Sequence, residues 1–413
     1  MVISSNATGY LIKNDDFIYN EFMKKIISVL LPFGLISVLS FSITGCNQSK
    51  NLDLRDETIR KFVSAKKEKT ICEILTSSTG QHDQQAGFIT VGKDPENDFN
   101  IYEIELSEYE DYKDSFKMVS FFNPVPTFGA IPGRTYYYRI NEYNDPSNYV
   151  KTGKITTKKE PGTFYTVDGM NNVRDLGGWK AEGGKRLNFD KIIRGGKPNY
   201  YDNTPAYTDK GRTVLMDSLK LYGEIDLRNE NDNFGQSLNI FDETYPYLTV
   251  AFMVDSEILP DFQQNNPVPR KYNKNAPIFI KKIFSFLADE SNYPVYIHCN
   301  AGADRTGTVC MLIEGVLGLS VDDIYKDFEL TSFSPNAKRW RSSIDYETLT
   351  FDKSGVMQDD YNNYVALGKC VDSLWRSYAP NGSYQEAVTN YLKTVCDVTD
   401  EEINSLKNIM LEK

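Results

Sequence analysis

A buried strand that runs directly into a loop of small residues and then into a helix constrains this sequence most. The apolar stretch 294–299 (PVYIHC) predicts a strand ending at Cys299, and a helix is expected to begin near Thr306. In such a loop, successive backbone N–H groups can converge on one point at a helix N-terminus. The sequence therefore predicts a site for a phosphate-sized anion, walled by main-chain amides.

Two side chains give this loop its chemistry. The loop amides and the helix N-terminus favour the thiolate of Cys299, which is the nucleophilic form. Arg305 can place a planar fork on two phosphoryl oxygens, which lysine would not reproduce. Gly302 supplies conformational freedom between them. The predicted anion-binding residues are Asn300, Ala301, Gly302, Ala303, Asp304, Arg305 and Thr306.

The longer pattern around this loop is more specific than the spacing of one cysteine and one arginine. Residues 298–307 (HCNAGADRTG) resemble the active-site signature of cysteine-dependent protein tyrosine and dual-specificity phosphatases, especially the bacterial subfamily with HCxAGKDRTG. Segments 172–178 (NVRDLGG), 193–196 (IRGG), 225–228 (IDLR) and 328–331 (FELT) also resemble that subfamily, in the expected order. The resemblance spans about residues 163–413. It implies an α/β cysteine-phosphatase fold, a central sheet flanked by helices, which alternating strand and helix patterns here also predict.

This resemblance implies a two-step mechanism without metal or cofactor. Cys299 attacks phosphorus and forms a phosphocysteine, while Arg305 and the loop amides hold the equatorial oxygens. Thr306 is placed to donate a hydrogen bond to the sulfur, and water then releases phosphate. The expected partner is a phosphorylated protein or a small phosphomonoester.

The general acid that must protonate the leaving oxygen has two candidates. Asp304 lies in the loop itself, where related sequences also carry Asp. Asp255 stands where dual-specificity phosphatases have their acid loop, before the helix that precedes the cysteine strand. Asp304 is the preferred candidate, and each carboxylate has the plainer interpretation of a surface group or loop brace.

Other polar residues are expected to support the loop. His298 is interpreted as a hydrogen-bonding brace. Arg174 and Asp175 either line the phosphate site or tie the preceding segment to it, and the tie is favoured because buried charges are usually paired. Asp226 is interpreted as structural, paired with Arg174 or Arg228.

One departure from the subfamily bears on the substrate. Ala303 stands where close relatives have a lysine, and that lysine implies affinity for additional phosphates. Without it, phosphotyrosine-like monoesters are the preferred substrate class over phosphoinositides. An inositol-polyphosphate or phosphoinositide phosphatase is the alternative enzyme. The alternative from another class is a surface binding protein with a vestigial phosphatase domain.

Composition excludes several other classes. The 413 residues are 40% hydrophobic and 25% charged, which is ordinary for a folded globular chain. The net charge of −11 argues against a nucleic-acid partner, which requires a basic surface. With only two histidines, a multi-histidine metal centre is not expected.

The amino terminus is predicted to be a targeting segment, 1–45. Lys24 and Lys25 precede an uncharged apolar run, 26–44, as in a secretory signal, with one transmembrane anchor as the alternative. The end of the run (ITGC) resembles a bacterial lipobox, which implies cleavage before Cys46 and lipidation of that residue. The expected location is the cell envelope, outside the cytoplasm, as a lipid-anchored lipoprotein. Polar residues 46–69 are interpreted as a tether.

Between this tether and the phosphatase-like region, residues 70–159 carry short strand patterns separated by turn residues. They predict a small all-β sandwich. Segment 132–139 (PGRTYYYR) resembles the corresponding strand of fibronectin type III domains. Its tyrosines are interpreted as core and cross-strand packing. The sandwich leaves room for a protein or glycan partner.

Overall fold

Two different sheets organise the protein, one mostly antiparallel and one mostly parallel. The structure is a computed structural model that describes residues 51–66, 71, 74–75, 87–92, 100–121, 123–127, 129–199, 206–228, 240, 244–251, 258–259, 272–334, 344–345, 350–351 and 358–413. The predicted targeting segment 1–45, Cys46 and Asp255 lie outside these residues.

The first sheet has the order β1-β7-β6-β3-β4, and a separate pair joins β2 to β5. The elements here are β1 (Asn51–Leu52), α1 (Glu57–Ser64), β2 (Phe88–Ile89), β3 (Tyr102–Ser107), β4 (Phe116–Ser120), β5 (Val125–Pro126), β6 (Thr135–Glu142) and β7 (Tyr149–Thr157). Side chains alternate between the two faces of a strand, so Tyr136, Tyr138 and Ile140 of β6 enter one core. The interpretation of Tyr136 and Tyr138 as core residues is confirmed. The fibronectin resemblance remains a prediction.

The segment expected to be a tether is instead structured from residue 51. Strand β1 pairs in parallel with β7. Helix α1 is capped by Asp56, whose side chain accepts a hydrogen bond from the Ile59 amide, 2.8 Å. Ile59 and Phe62, three residues apart on one helix face, are fully buried and belong to the core of the phosphatase-like region. The tether interpretation is therefore wrong for residues 51–65, because this helix has an apolar face that is buried.

The second sheet has the order β11-β10-β12-β9-β8. Its strands are β8 (Arg174–Asp175), β9 (Ile192–Gly195), β10 (Gly223–Asp226), β11 (Tyr247–Thr249) and β12 (Val295–His298), and a separate hairpin pairs β13 (Ile344–Asp345) with β14 (Thr350–Phe351). Strands β9 to β12 are parallel, and β8 runs antiparallel to β9. Central β12 is buried at every residue, as its unbroken apolar sequence predicts.

Helices accompany this sheet, which gives the predicted α/β architecture. They are α2 (Asp209–Thr213), α3 (Ala276–Leu287), α4 (Asp304–Leu317), α5 (Val321–Glu329), α6 (Gln358–Tyr378), α7 (Tyr384–Thr394) and α8 (Asp400–Met410). Helix α4 is buried on almost all sides between the sheet and α7. The fold class, an α/β domain preceded by a β region, is confirmed. Within the described ranges, none of the helices combines the length and apolarity that crossing a membrane requires.

Candidate active site

The predicted anion loop lies at the carboxyl end of the central strand β12. Cys299 directly follows β12 and is 3% exposed, and its thiol is free. Helix α4 begins at Asp304, with Ala303 as its N-cap. Ligands of α/β sheets bind outside the carboxyl ends of the strands. The loop that joins Cys299 to α4 therefore occupies the position where this kind of fold places its ligand.

Gly302 is the one position in the loop where glycine is structurally required. Its φ of +66° is in the left-handed region that disfavours side chains. A Cβ atom there would also overlap the backbone of Gly195 and Gly196. The loop is therefore packed directly on the end of β9. A Cβ at Gly196 would in turn meet the loop backbone at Asn300, whereas a Cβ at Gly195 would meet the Tyr296 side chain.

The loop carbonyls are turned outward by two side chains from other segments. The side-chain amide of Asn172 donates to the carbonyl oxygens of Ala301, 3.1 Å, and Gly302, 3.0 Å. Arg194 Nη2 also donates to the Gly302 carbonyl, 2.9 Å. In a trans peptide the C=O and the following N–H point in opposite directions. The amides of Gly302 and Ala303 are consequently directed away from Asn172 and Arg194, which is the orientation an anion-binding loop needs.

These two side chains are fixed by a buried ionic network. Asp327 of α5 forms ion pairs with both Arg174 and Arg194, and all three side chains are at most 1% exposed. Arg174 also donates to the side-chain oxygen of Asn172. Burial, with the neighbouring Arg194, lowers the pKa of Arg174 to about 10. Burial opposes the charge of Asp327, but the two arginines outweigh it and hold its pKa below the usual value. A network of this kind loses much stability when one partner is removed.

His298 braces the loop from beneath. Its Nε2 lies 2.9 Å from Glu224 Oε1 and its Nδ1 lies 3.2 Å from the Cys299 carbonyl oxygen. Asp226 contacts the same ring more distantly, 3.9 Å, and accepts hydrogen bonds from Nε and Nη2 of Arg228. The open pairing of Asp226 is thus resolved in favour of Arg228, since Arg174 pairs with Asp327. Ligand atoms of Glu224, Asp226 and His298 approach within 4.8 Å of one another, as metal ligands could. All three are buried and already engaged in these contacts.

The start of α4 holds the remaining predicted residues. Arg305 is partly buried, and its Nη1 donates to the Leu227 carbonyl, 3.3 Å. The hydroxyl of Thr306 is buried and has no hydrogen-bond partner among the described residues. Asp304 is partly exposed in the first turn. The N-cap residue Ala303 makes no side-chain cap hydrogen bond, and the helix directs its positive N-terminal dipole toward the loop.

The structure brings most of the predicted site residues together and separates one. Residues 298–306 are contiguous around the loop, and Arg174 reaches it through Asn172. The hydrogen bonds of Asp175 are made with residues outside the loop. Its carboxylate accepts from the amides of Gly177, 2.7 Å, and Asp190, 2.8 Å, and so holds the turn that follows β8. Burial raises the pKa of Asp175 to about 7. Its hydrogen-bond donors are Tyr165, Gly177 and Asp190, and its role as loop support stays a prediction.

Sequence reasoning missed four residues that brace the loop. Asn172, Arg194, Asp327 and Thr331 were not assigned roles. Thr331 accepts a hydrogen bond from Asn172, 3.2 Å. A signal for three of them was present, since Asn172, Arg194 and Thr331 fall inside the segments NVRDLGG, IRGG and FELT. These segments converge on one loop in space.

A family model described as the tyrosine phosphatase family matches residues 165–412. The chain belongs to the tyrosine phosphatase family. The converging segments above are therefore the structural core of a phosphatase domain that begins just after β7.

Two similar proteins extend this comparison. One, from Cupriavidus necator, carries the inferred name of a tyrosine-protein phosphatase. It is 25% identical over an alignment of 184 residues that covers 41% of this chain. The match spans 63% of that relative's length. The other is the core catalytic domain of a PP-IP phosphatase from S. cerevisiae, solved in complex with citrate. It is 15% identical and covers 42% of this chain and 82% of its own, with a TM-score of 0.25. At that score it says nothing about this protein's substrate.

Proposed function

We propose that this phosphatase is a lipid-anchored protein of the cell envelope that hydrolyses phosphomonoesters of the phosphotyrosine kind through a phosphocysteine at Cys299. The observation that carries the proposal is the set of hydrogen bonds from Asn172 and Arg194 to the carbonyls of Ala301 and Gly302. These hydrogen bonds direct the amides of Gly302 and Ala303 toward the site where the phosphoryl oxygens would lie. Preorganised donors of this kind stabilise the charge that develops in a transition state.

The reaction proceeds in two displacements. The Cys299 sulfur forms a bond to phosphorus as the bond to the leaving oxygen breaks, and a carboxylic acid gives that oxygen its proton. Arg305 and the loop amides hold the three equatorial oxygens, and the unpartnered Thr306 hydroxyl supports the sulfur as a leaving group. Water then attacks phosphorus, the S–P bond breaks, and the carboxylate takes the proton back. Inorganic phosphate and the thiolate remain.

The substrate preference rests on the loop composition. Ala303 is 5% exposed and adds no positive charge to the rim. A monoester needs one phosphate site, which Arg305 and the loop amides supply. A substrate with several phosphates would gain from additional cations at this position. Aryl monoesters are therefore proposed ahead of inositol polyphosphates and phosphoinositides.

Hydrolysis of an aryl phosphate by the chain from residue 46 onward tests this function. We expect metal-independent turnover that chelator leaves unchanged and that Cys299→Ser abolishes. Cys370→Ala is the matched control, because Cys370 is also a buried cysteine but lies on α6. Full activity of Cys299→Ser would refute the mechanism. Wild-type protein that binds phosphate without turnover would favour the vestigial, binding-protein alternative.

A substrate panel decides the finer assignment. Phosphotyrosine peptide, inositol hexakisphosphate and a phosphoinositide should be compared at equal concentration, and the peptide is expected to have the highest kcat/KM. A higher value for either inositol compound would replace the proposed substrate class. The acid is identified by comparing Asp304→Asn with Asp255→Asn on poor and good leaving groups. The true acid's variant should slow poor leaving groups selectively.

The envelope location is supported by the segment that ends at Cys46. Metabolic labelling with a fatty acid should mark the wild-type chain and leave Cys46→Ala unlabelled. An unlabelled wild type that is nevertheless exported would indicate simple secretion.

A further inference from the structure

Helix α1 lies more than a hundred residues before the matched phosphatase domain, yet it forms part of that domain's interior. Phe62 and Ile59 are both 0% exposed and belong to the same core as the β12 and α4 side chains. Lys326 of α5 donates from Nζ to the Val63 carbonyl, 3.2 Å, which fastens the helix end. The helix is therefore a fixed element next to α5.

The contact of α1 that concerns the site is with the turn that follows α5, Leu330–Phe333. The rings of Phe62 and Phe333 have centroids 4.8 Å apart at an angle of 45°. Phe333 is fully buried, so Phe62 fills space that no solvent would occupy. Removing that ring would leave a cavity directly behind the turn.

This turn carries a direct link to the anion loop. Thr331, two residues before Phe333, accepts the Asn172 side-chain amide at 3.2 Å. The same amide nitrogen donates to the carbonyls of Ala301 and Gly302, so one of its two hydrogens is shared between two of the three acceptors. The position of Thr331 therefore helps to fix where Asn172 lies and how the loop amides are directed.

We propose that Phe62 is a positioning residue for the anion loop, acting through Phe333, Thr331 and Asn172. The inference rests on the proposed function and deepens it, since it extends the phosphatase machinery to a helix outside the domain matched by the family. Catalysis is sensitive to displacements well below the size of the cavity that loss of a phenyl ring leaves. Helix α1 is thus part of the enzyme.

The test compares Phe62→Ala, Phe62→Leu and Ile403→Ala in the chain from residue 46 onward. Ile403 is a comparably buried core residue on α8, a helix packed on α3. At a temperature where all variants are folded, Phe62→Ala should lower kcat about tenfold and weaken vanadate inhibition by a similar factor. Phe62→Leu should recover most of both. Ile403→Ala should lower Tm but leave kcat and vanadate inhibition unchanged.

A second variant isolates the link even if Phe62→Ala unfolds. Thr331→Val keeps the side-chain shape and removes the acceptor for Asn172, so it should lower kcat with little change in Tm. Where Phe62→Ala folds, its effect on kcat should disappear in the Thr331→Val background, because both act on the same hydrogen bond. Additive effects, or an unchanged kcat in Thr331→Val, would overturn the inference while an active wild type leaves the proposed function standing. An inactive wild type would overturn both.

Discussion

The side-chain amide nitrogen of Asn172 lies 3.0 Å from the carbonyl oxygen of Gly302, although 130 residues separate them in the chain. Asn172 is 3% exposed and has a positive φ of 60°, which asparagine tolerates better than most residues. Together with Arg194, this side chain therefore sets the direction of the loop peptides from outside the loop.

Replacing that amide by a carboxylate should disable the loop. Asn172→Asp keeps the shape and the tolerance of positive φ, but it puts an acceptor against two carbonyl oxygens. We expect kcat to fall about 10²-fold, as when one oxyanion donor is lost. The measurement is steady-state hydrolysis of an aryl phosphate. Asn188→Asp is the control, since Asn188 also donates to a backbone carbonyl, that of Ile409, 2.9 Å. Equal activity losses in the two variants would contradict the assignment.

Arg194 should not tolerate lysine. Its guanidinium binds Asp327 and the Gly302 carbonyl with two different nitrogens, and an ammonium group on a lysine stem cannot span both. Arg194→Lys should therefore lower both Tm and kcat. Arg186→Lys, at a more exposed arginine that also donates to a carbonyl, is the control. Retention of full kcat by Arg194→Lys would show that Asn172 alone is sufficient.

Gly302→Ala should reduce stability and activity by more than the strain of a positive φ alone would. Gly184 has a similar positive φ of 83°, but nothing lies within 4 Å of a Cβ placed there. Gly184→Ala should therefore cost about 1 kcal/mol of unfolding free energy and no activity. Gly302→Ala adds the overlap with Gly195, so it should cost more and abolish turnover. Chemical unfolding measures the loss of stability, and the phosphatase assay measures the loss of turnover. An equal loss of unfolding free energy in the two variants would show that the loop backbone moves to accommodate the Cβ atom.

Glu314 gives a pH dependence with a definite sign. This α4 carboxyl is 1% exposed, and its Oε1 has no hydrogen-bond partner in the described part of the chain. Burial, assisted by Asp327, raises its pKa well above 4.5, although Arg194 and Arg174 oppose the shift. The folded state then holds a proton that the unfolded state has lost. Stability should fall as pH rises from about 4.5 toward the folded pKa.

Glu314→Gln removes that titration and should gain stability relative to wild type between pH 5 and pH 8. Urea midpoints at the two pH values measure the difference. Asp175, with its pKa raised to about 7, contributes a slope of the same sign from about pH 4 to pH 7 and remains in the variant. An equal difference at both pH values would mean that Glu314 is ionised in the folded protein.

The fold and the site could be predicted from the sequence where one short segment forms both the secondary structure and the reactive residues. The strand 295–298, the loop after Cys299 and the helix from Asp304 could be predicted because strand, loop and helix patterns follow one another without interruption. Gly302 could be predicted as a conformational requirement, although its contact with Gly195 could not. Such a contact depends on which strands are neighbours, and parallel neighbours are distant in sequence.

The residues whose roles were not predicted are those that pair with residues distant in the sequence. Asp327 is one of many acids in the chain, and nothing local shows that it pairs with Arg174 and Arg194. The partner of Asp226 was left open for the same reason. Helix α1 was overlooked because its eight residues are mostly polar. Its capping Asp56 and its apolar pair Ile59 and Phe62 were nevertheless visible.

The burial of Phe62 against Phe333 has a consequence for biosynthesis. The ribosome releases the amino-terminal helix early, whereas the turn that covers it emerges only after the whole β region and the central strand have been made. The apolar face of this amphipathic helix stays exposed to solvent during that interval, since its native contacts are with residues distant in sequence. Truncated nascent chains that end before residue 333 should therefore engage chaperones through residues 57–64.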